Sequence, residues 1–291
     1  MDEALQLVAD GVVVAAALAV AAVGLSLIMS VLRMINVAHG DLLTVAAFAA
    51  LVCVNAGLPL VIALIVAAVA SALIALGLEL SLWRRMRARG GSNFSLLLLS
   101  VGLAYVVRHV LFLIFGEETH QYAPPTRELA IGPVYMTREG LTVVAGGAVC
   151  MIGLAALLKW TRIGTAMRAM ADNMDLARAS GVDVARTSAI TWVIVGVLTG
   201  VGGVLLGIGG RIFPNMGWNI ILLVFAAVVL GGIGTAAGAA VGSLVIGVGQ
   251  ELVTHSALGL PPEMKQAFVF LFLVVALVIR PQGLFGARRY V

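Results

Sequence analysis

Charge is scarce in this chain. Only 11% of its 291 residues are Asp, Glu, Lys or Arg, against about a quarter in a usual soluble domain. A soluble protein of this length could not bury the 62% of residues that are hydrophobic, so lipid must cover part of the surface. Cysteine is scarce too. Cys53 and Cys150 both lie in apolar runs, with no CxxC pair and no metal-ligand spacing, and read as two small buried hydrophobes. There is no GxxxxGK loop, no HExxH and no GxSxG, so nothing points to ATP binding by a P-loop or to catalysis, and no cofactor or metal is called for. The net charge is only +4 and no basic face forms outside short loops, which argues against nucleic acid as a partner. Carboxylates inside the apolar runs are few, which counts against a proton-driven pump.

What the chain has instead is length between charges. Gly11 to Leu32 is an unbroken uncharged run, about 33 Å long at the helical rise against about 30 Å of hydrocarbon. Other such runs cover 42–78, 90–107, 140–158, 187–210, 212–250 and 266–279. They are apolar on all sides, unlike the alternating strands of a membrane barrel. Run 42–78 breaks at Asn55-Ala56-Gly57-Leu58-Pro59, and run 212–250 at Gly231-Gly232-Ile233-Gly234-Thr235, both turn signals. The last run spans if a helix starts near Pro262 and Lys265 anchors it at the interface. The start MDEALQLVAD is acidic where a cleaved signal would be basic, so the first run reads as a retained span. The pattern predicts an all-α polytopic membrane protein, a single transmembrane domain over 1–291 with eight or nine transmembrane helices, some short or broken.

Orientation follows from the arginines. Arg84, Arg85, Arg87 and Arg89 form one cluster; Lys159, Arg162, Arg168, Arg178 and Arg186 form another; Arg280, Arg288 and Arg289 form a third. The positive-inside rule puts all three in the cytoplasm. Segment 116–139 has four glutamates and two arginines, and the start has Asp2, Glu3 and Asp10. Both go outside, so the N-terminus is expected outside and the C-terminus in the cytoplasm. Gly196, Gly200, Gly203 and Gly207, like Gly238 and Gly242, recur at near-helical spacing and read as faces for close helix packing.

Polar groups interrupt the apolar runs in three places. In Met34-Ile35-Asn36-Val37-Ala38-His39-Gly40-Asp41, Asn36, His39 and Asp41 follow a full-length span and lead straight into the next. Two readings stand: a broken or re-entrant helix lining a pathway, or a tight loop with Asp41 as N-cap and Gly40 as turn residue. Gly231, Gly232 and Gly234 interrupt the C-terminal half in a similar position, and paired interruptions point to discontinuous helices around a central path. Arg108, in VGLAYVVRHVLFLIF, reads as snorkelling to the outer interface or bonding a helix carbonyl. Glu79 and Glu251, near span ends, read as snorkelling or capping groups.

Residues 161–186 form the longest basic connection. Ile163, Met167, Met170 and Met174 fall on one helical stripe. Asn173 can cap a second short helix, with Asp175 in its first turn and Gly181 ending it. Two amphipathic helices on the membrane surface are expected, either connecting spans or docking a cytoplasmic partner through exposed methionines and the alternating charges of Arg168, Asp172, Asp175 and Arg178.

Four segments together resemble one family: GLSLIMSVLRMINVAHGDLL at 24–43, RIGTAMRAMADNMDLARASGVDVAR at 162–186, FAAVVLGGIGTAAGAAVG at 225–242 and LVIRPQGLFG at 277–286. They look like the permease subunit of branched-chain amino-acid type (LIV-type) ABC importers. The resemblance implies a multi-pass protein of the bacterial inner membrane. It implies as partners a second permease subunit, homologous or identical, two cytoplasmic ATPase subunits and an extracytoplasmic substrate-binding protein. It also implies that 162–186 is the coupling region, and that the two polar interruptions lie near the translocation path. Asn36, His39, Asp41 and Thr44, with Gly231, Gly232 and Gly234, are the expected path residues. Arg168, Asp172, Asn173, Asp175 and Arg178 are the expected ATPase contacts. Relatives of such importers carry branched-chain and other amino acids, urea and short amides. A self-sufficient secondary transporter or channel for a small polar solute is the alternative.

Overall fold

The structure is a computed structural model that describes residues 2–122, 129–255, 261, 264–280 and 282–285. The elements run α1 (Asp2–Val31), α2 (Ala38–Asn55), α3 (Leu60–Leu78), a π-turn over Glu79–Trp83 that continues into α4 (Arg84–Ala88), and α5 (Asn93–Phe115). A short antiparallel hairpin of β1 (Leu129–Ile131) and β2 (Val134–Met136) follows. Then come α6 (Arg138–Trp160), α7 (Arg162–Asp172), α8 (Met174–Ala179), α9 (Val184–Gly209), α10 (Met216–Gly231), α11 (Ala236–Leu252) and α12 (Lys265–Ile279). Ser92, Thr137, Thr161, Asn173, Asp183 and Thr235 each accept a backbone N–H from the turn they open. Such caps satisfy donors that lipid cannot.

The architecture is the all-α polytopic membrane protein that the composition predicts. Among the described residues, six helices are long and apolar enough to cross a bilayer: α1, α2, the continuous helix Leu60–Ala88, α5, α6 and α9. The bent pair α10 and α11, which meet at 119°, makes up to seven. This is below the eight or nine expected, because the glycine break leaves helices of 16 and 17 residues and α12 has 15. The expected helix start at Pro262, and Arg288 and Arg289, lie outside the described residues.

α1 is the axis of the bundle, packed by α6, α9, α10 and α11. Small residues make the closest crossings. Gly196 and Gly200 of α9 rest on Ala72 and Ala68 of α3, and Gly247 of α11 on Ala15 of α1. With lipid as apolar as leucine, such contact is what holds helices together. Trp83 in the π-turn stacks on Trp192 of α9 at 5.9 Å between ring centroids. Glu79, read as a snorkelling or capping group, is instead buried and paired with Arg87, one helical stretch further on. Glu251 pairs with Lys265 at 2.6 Å and ties the end of α11 to the start of α12.

The tightest crossing joins α2 to α10, where Gly217 lies against the Gly40 carbonyl and Thr44 Oγ1, and a Cβ on Gly217 would overlap both. Gly217→Ala is expected to destabilise the fold by about 1–3 kcal/mol through overpacking. Gly77→Ala and Gly102→Ala, where a Cβ meets nothing within 4 Å, are the controls and should leave stability unchanged. Thermal unfolding in detergent, read by size exclusion, checks the difference.

Candidate functional site

The segment after α1 turns back into the bundle. α1 ends at Val31, yet the His39 ring, in the first turn of α2, reaches the Ala21 carbonyl at 2.9 Å from Nε2. Ala21 lies ten residues before Val31, about 15 Å along the helix. Residues 32–37 therefore climb beside α1 before α2 begins, and the tight-loop reading does not hold. Gly40 and Asp41 are helical, and the cap position is Val37, with no side-chain cap. The returning backbone finds a partner in α5, where Ser100 Oγ accepts the Val37 N–H at 3.1 Å.

This geometry leaves polar groups stranded. A carbonyl only accepts, so His39 Nε2 carries the hydrogen and Nδ1 of the neutral ring is an acceptor. Nδ1 has no partner among the described residues, and neither do both polar atoms of the fully buried Asn36 side chain. His39 lines a cavity of about 10 Å³ with Ser71, Trp192 and Thr199, room for about one water.

Arg108 neither snorkels nor bonds a carbonyl. It makes a bidentate pair with Asp41, Nε to Oδ1 at 2.9 Å and Nη2 to Oδ2 at 3.1 Å, with both side chains buried. The Trp218 ring lies 4.5 Å and the Tyr105 ring 5.4 Å from the guanidinium carbon, close enough for attraction to the ring faces. Thr44 Oγ1 accepts the Gly217 N–H at 2.8 Å and so caps α10, whose own N-cap Asn215 offers no side-chain bond. Two helix N-termini, of α2 and α10, thus meet beside Asp41, and their partial positive ends favour its negative charge. The sequence reading missed this pair. Its signal was two lone charges of opposite sign, each inside an apolar helix, where an unpaired charge is costly.

The glycine interruption lies elsewhere. Gly40 meets α10 at Gly217, and the break begins at Gly231, about 21 Å further along the helix. Gly232 and Gly234 take positive φ of 102° and 108°, and Thr235 caps α11 by accepting the Gly238 N–H at 3.1 Å. The freed carbonyls of Leu230 and Gly231 accept the N–H groups of Leu284 and Phe285 at 2.8 and 2.9 Å. Leu284 and Phe285 thus close the corner made by GGIGT.

At the basic end of the bundle, α7 and α8 form the two expected short helices. Asn173 Oδ1 accepts from Asp175 and Leu176 at 3.0 Å each. Gly181 at φ 88° lets Val182 N–H reach the Ala177 carbonyl, a Schellman ending. The methionines do not face outward as expected. Met167 and Met170 are buried in the main core and pin α7 to the bundle. Arg168 donates to the Leu158 carbonyl near the end of α6. Asp172, Asn173, Asp175, Leu176 and Arg178 are exposed. Arg33, in a left-handed conformation with φ 52°, donates to the last carbonyls of α7, Asp172 at 3.1 Å and Ala171 at 3.5 Å. The residue that grips α7 is thus three positions from the buried Asn36.

Long apolar helices packed into one bundle, with an ion pair and stranded polar groups buried inside it, define a polytopic membrane protein. The chain belongs to the family described as the permease component of branched-chain amino acid transport systems, which matches residues 7–277. It is 28% identical to the high-affinity branched-chain amino acid transport system permease protein BraD of Pseudomonas aeruginosa, over 97% of this chain and 95% of that one. It is 27% identical to the permease protein LivH of Escherichia coli over the same shares. A probable LivH of Methanocaldococcus jannaschii is 37% identical over 47% of this chain and 44% of its own length. No solved structure gives a significant match. These relatives are transport permeases, and the chain is a transporter subunit, not an enzyme.

Asp41→Ala leaves the Arg108 guanidinium buried without its anion and is expected to cost about 3–5 kcal/mol. The neutral pair, Asp41→Asn with Arg108→Gln, should cost much less. Melting curves of the three proteins in detergent test the order; an Asp41→Ala protein as stable as wild type would mean the pair does not form.

Proposed function

We propose that this chain is one permease half of an ATP-driven importer of branched-chain amino acids, in the inner membrane of a bacterium. A second permease, two cytoplasmic ATPases and an extracytoplasmic binding protein complete it. The arginine-rich end, with Arg84 to Arg89 and α7–α8, faces the cytoplasm. The exposed edge of α7–α8, with Asp172, Asn173, Asp175 and Arg178, is the ATPase contact, and Leu176, 64% exposed, is its apolar centre. Arg168 holds the α6–α7 corner behind that edge. The path runs past Asn36, His39, Asp41 and Thr44, while Gly231, Gly232 and Gly234 make the corner about which α10 and α11 move together.

The observation that carries this reading is the grip of Arg33 on the end of α7. A push on α7–α8 moves residue 33, and the chain transmits that shift over three residues to Asn36 and over eight to Asp41. A coupling loop that only connected spans would need no such tie. The full-length likeness to permeases of branched-chain amino acid transport supports the cargo.

Purification of this chain from its native membranes is expected to bring down an ATPase. In proteoliposomes of the assembled complex, Arg33→Gln should lower amino-acid uptake per ATP hydrolysed several-fold, with assembly and basal ATPase intact. Unchanged coupling removes Arg33 from the route. Accumulation of solute by this chain alone, without ATP, would replace the proposal with a secondary transporter.

A further inference from the structure

The Asp41–Arg108 pair carries the same two charges as the head of an amino acid, and it sits between elements that can part. Asp41 comes from α2 and Arg108 from α5, which packs chiefly against α2 and is otherwise largely exposed. The guanidinium carbon lies 4.5 Å from the Trp218 ring and 5.4 Å from the Tyr105 ring. The N–H donors the guanidinium turns to Asp41 are the ones a carboxylate would take, and Tyr105, on α5 with it, stays beside the cation when Asp41 leaves. The N-termini of α2 and α10 converge on the same point, and the unpartnered amide of Asn36 lies two residues before α2.

Beside the pair a groove of about 380 Å³ opens between α2 and α5, lined only by apolar side chains. Its nearest walls are the chain neighbours of the two charges, Leu42 after Asp41 and Val107 before Arg108, followed by Val45 and Val110 a turn further on. Charged head site and apolar groove therefore share one seam.

We propose that a zwitterionic amino acid with an aliphatic side chain replaces this internal pair when α5 parts from α2. Its carboxylate takes the place of Asp41 on Arg108, its ammonium lies on Asp41, and its side chain enters the groove. The inference rests on the transport reading and names the chemistry of its path. In the closed state the two side chains neutralise each other, so the protein occupies its own site with a copy of the ligand head. Parting them without a ligand bares two buried charges, and a ligand with one charge leaves the other unpaired. Selectivity for zwitterions follows from that penalty.

The test is competition against tritiated leucine on the purified membrane complex, without the external binding protein. Isocaproate lacks the ammonium and isoamylamine lacks the carboxylate. In wild type, neither should compete well. In Asp41→Asn with Arg108→Gln, the preference for leucine over both is expected to collapse by about tenfold or more. Asp41→Asn alone should shift the preference toward isocaproate, and Arg108→Gln alone toward isoamylamine. Val110→Trp fills the groove without touching the charges and should weaken leucine binding while sparing alanine. Wild-type preference in the folded double variant, or an unchanged leucine-to-alanine ratio in Val110→Trp, overturns the proposal and leaves the pair a structural bolt beside a lipid-filled groove. A wild-type complex that carries no amino acid even with its binding protein restored overturns this inference and the transport reading together. One that carries leucine but ignores these substitutions overturns this inference alone.

Discussion

A helix broken inside lipid frees backbone donors and acceptors where no water can take them, at several kcal/mol for each unsatisfied group. This chain breaks its helices twice within the bundle, and much of its architecture answers that demand. At the first break, Ser100 takes the Val37 N–H, and beside it Thr44 takes the Gly217 N–H at the start of α10. At the second, Thr235 takes the start of α11, and residues 284 and 285 take the end of α10. The Ser100 and Thr44 side chains and the backbone amides of residues 284 and 285, all distant in the chain, thus do the work of a continuous helical ladder.

The same economy governs charge. Among the described residues, ionised groups in the interior are few, and the buried carboxylates pair with a cation from another element or from further along their own. Asp41 meets Arg108 across α2 and α5, Glu79 meets Arg87 across the π-turn, and Glu251 meets Lys265 across α11 and α12. Arg33 stands apart because it grips carbonyls rather than a carboxylate. A carbonyl pair at a helix end is a weaker and more easily re-formed contact than a buried ion pair. In the proposed transporter that difference suits a link which must shift with each cycle, while the ion pair suits a state to be held.

Much of this was legible in the chain. Charge-free length identified the spans, Asn55 to Pro59 and Gly231 to Thr235 marked the helix breaks, and Asn173 and Gly181 bounded α8 as their side-chain and backbone chemistry requires. Residues 33–41 were legible as an anomaly with two readings, a broken or re-entrant helix and a tight loop, and spacing could not choose between them, because depth is set by the contact of His39 with Ala21. Arg108 was misread for a related reason. Hydropathy sees each helix alone, and the partner of a buried charge is a property of two. The methionines of α7 were assigned to the wrong side, since a stripe at helical spacing states that one face is apolar and not what covers it. The role of Leu284 and Phe285 was hidden because their contribution is backbone N–H, which every residue but proline offers.

The closure of α10 by residues 284 and 285 also orders the making of the protein. The Leu230 and Gly231 carbonyls leave the ribosome some fifty residues ahead of the amides that satisfy them. At synthesis rates of about 5–20 residues per second, that gap lasts roughly 3–10 s. Through that interval α10 waits in the membrane with an open end. That corner of the bundle is therefore sealed only once residues 284 and 285 have emerged, and a ribosome that stalls short of them leaves α10 with its last carbonyls open.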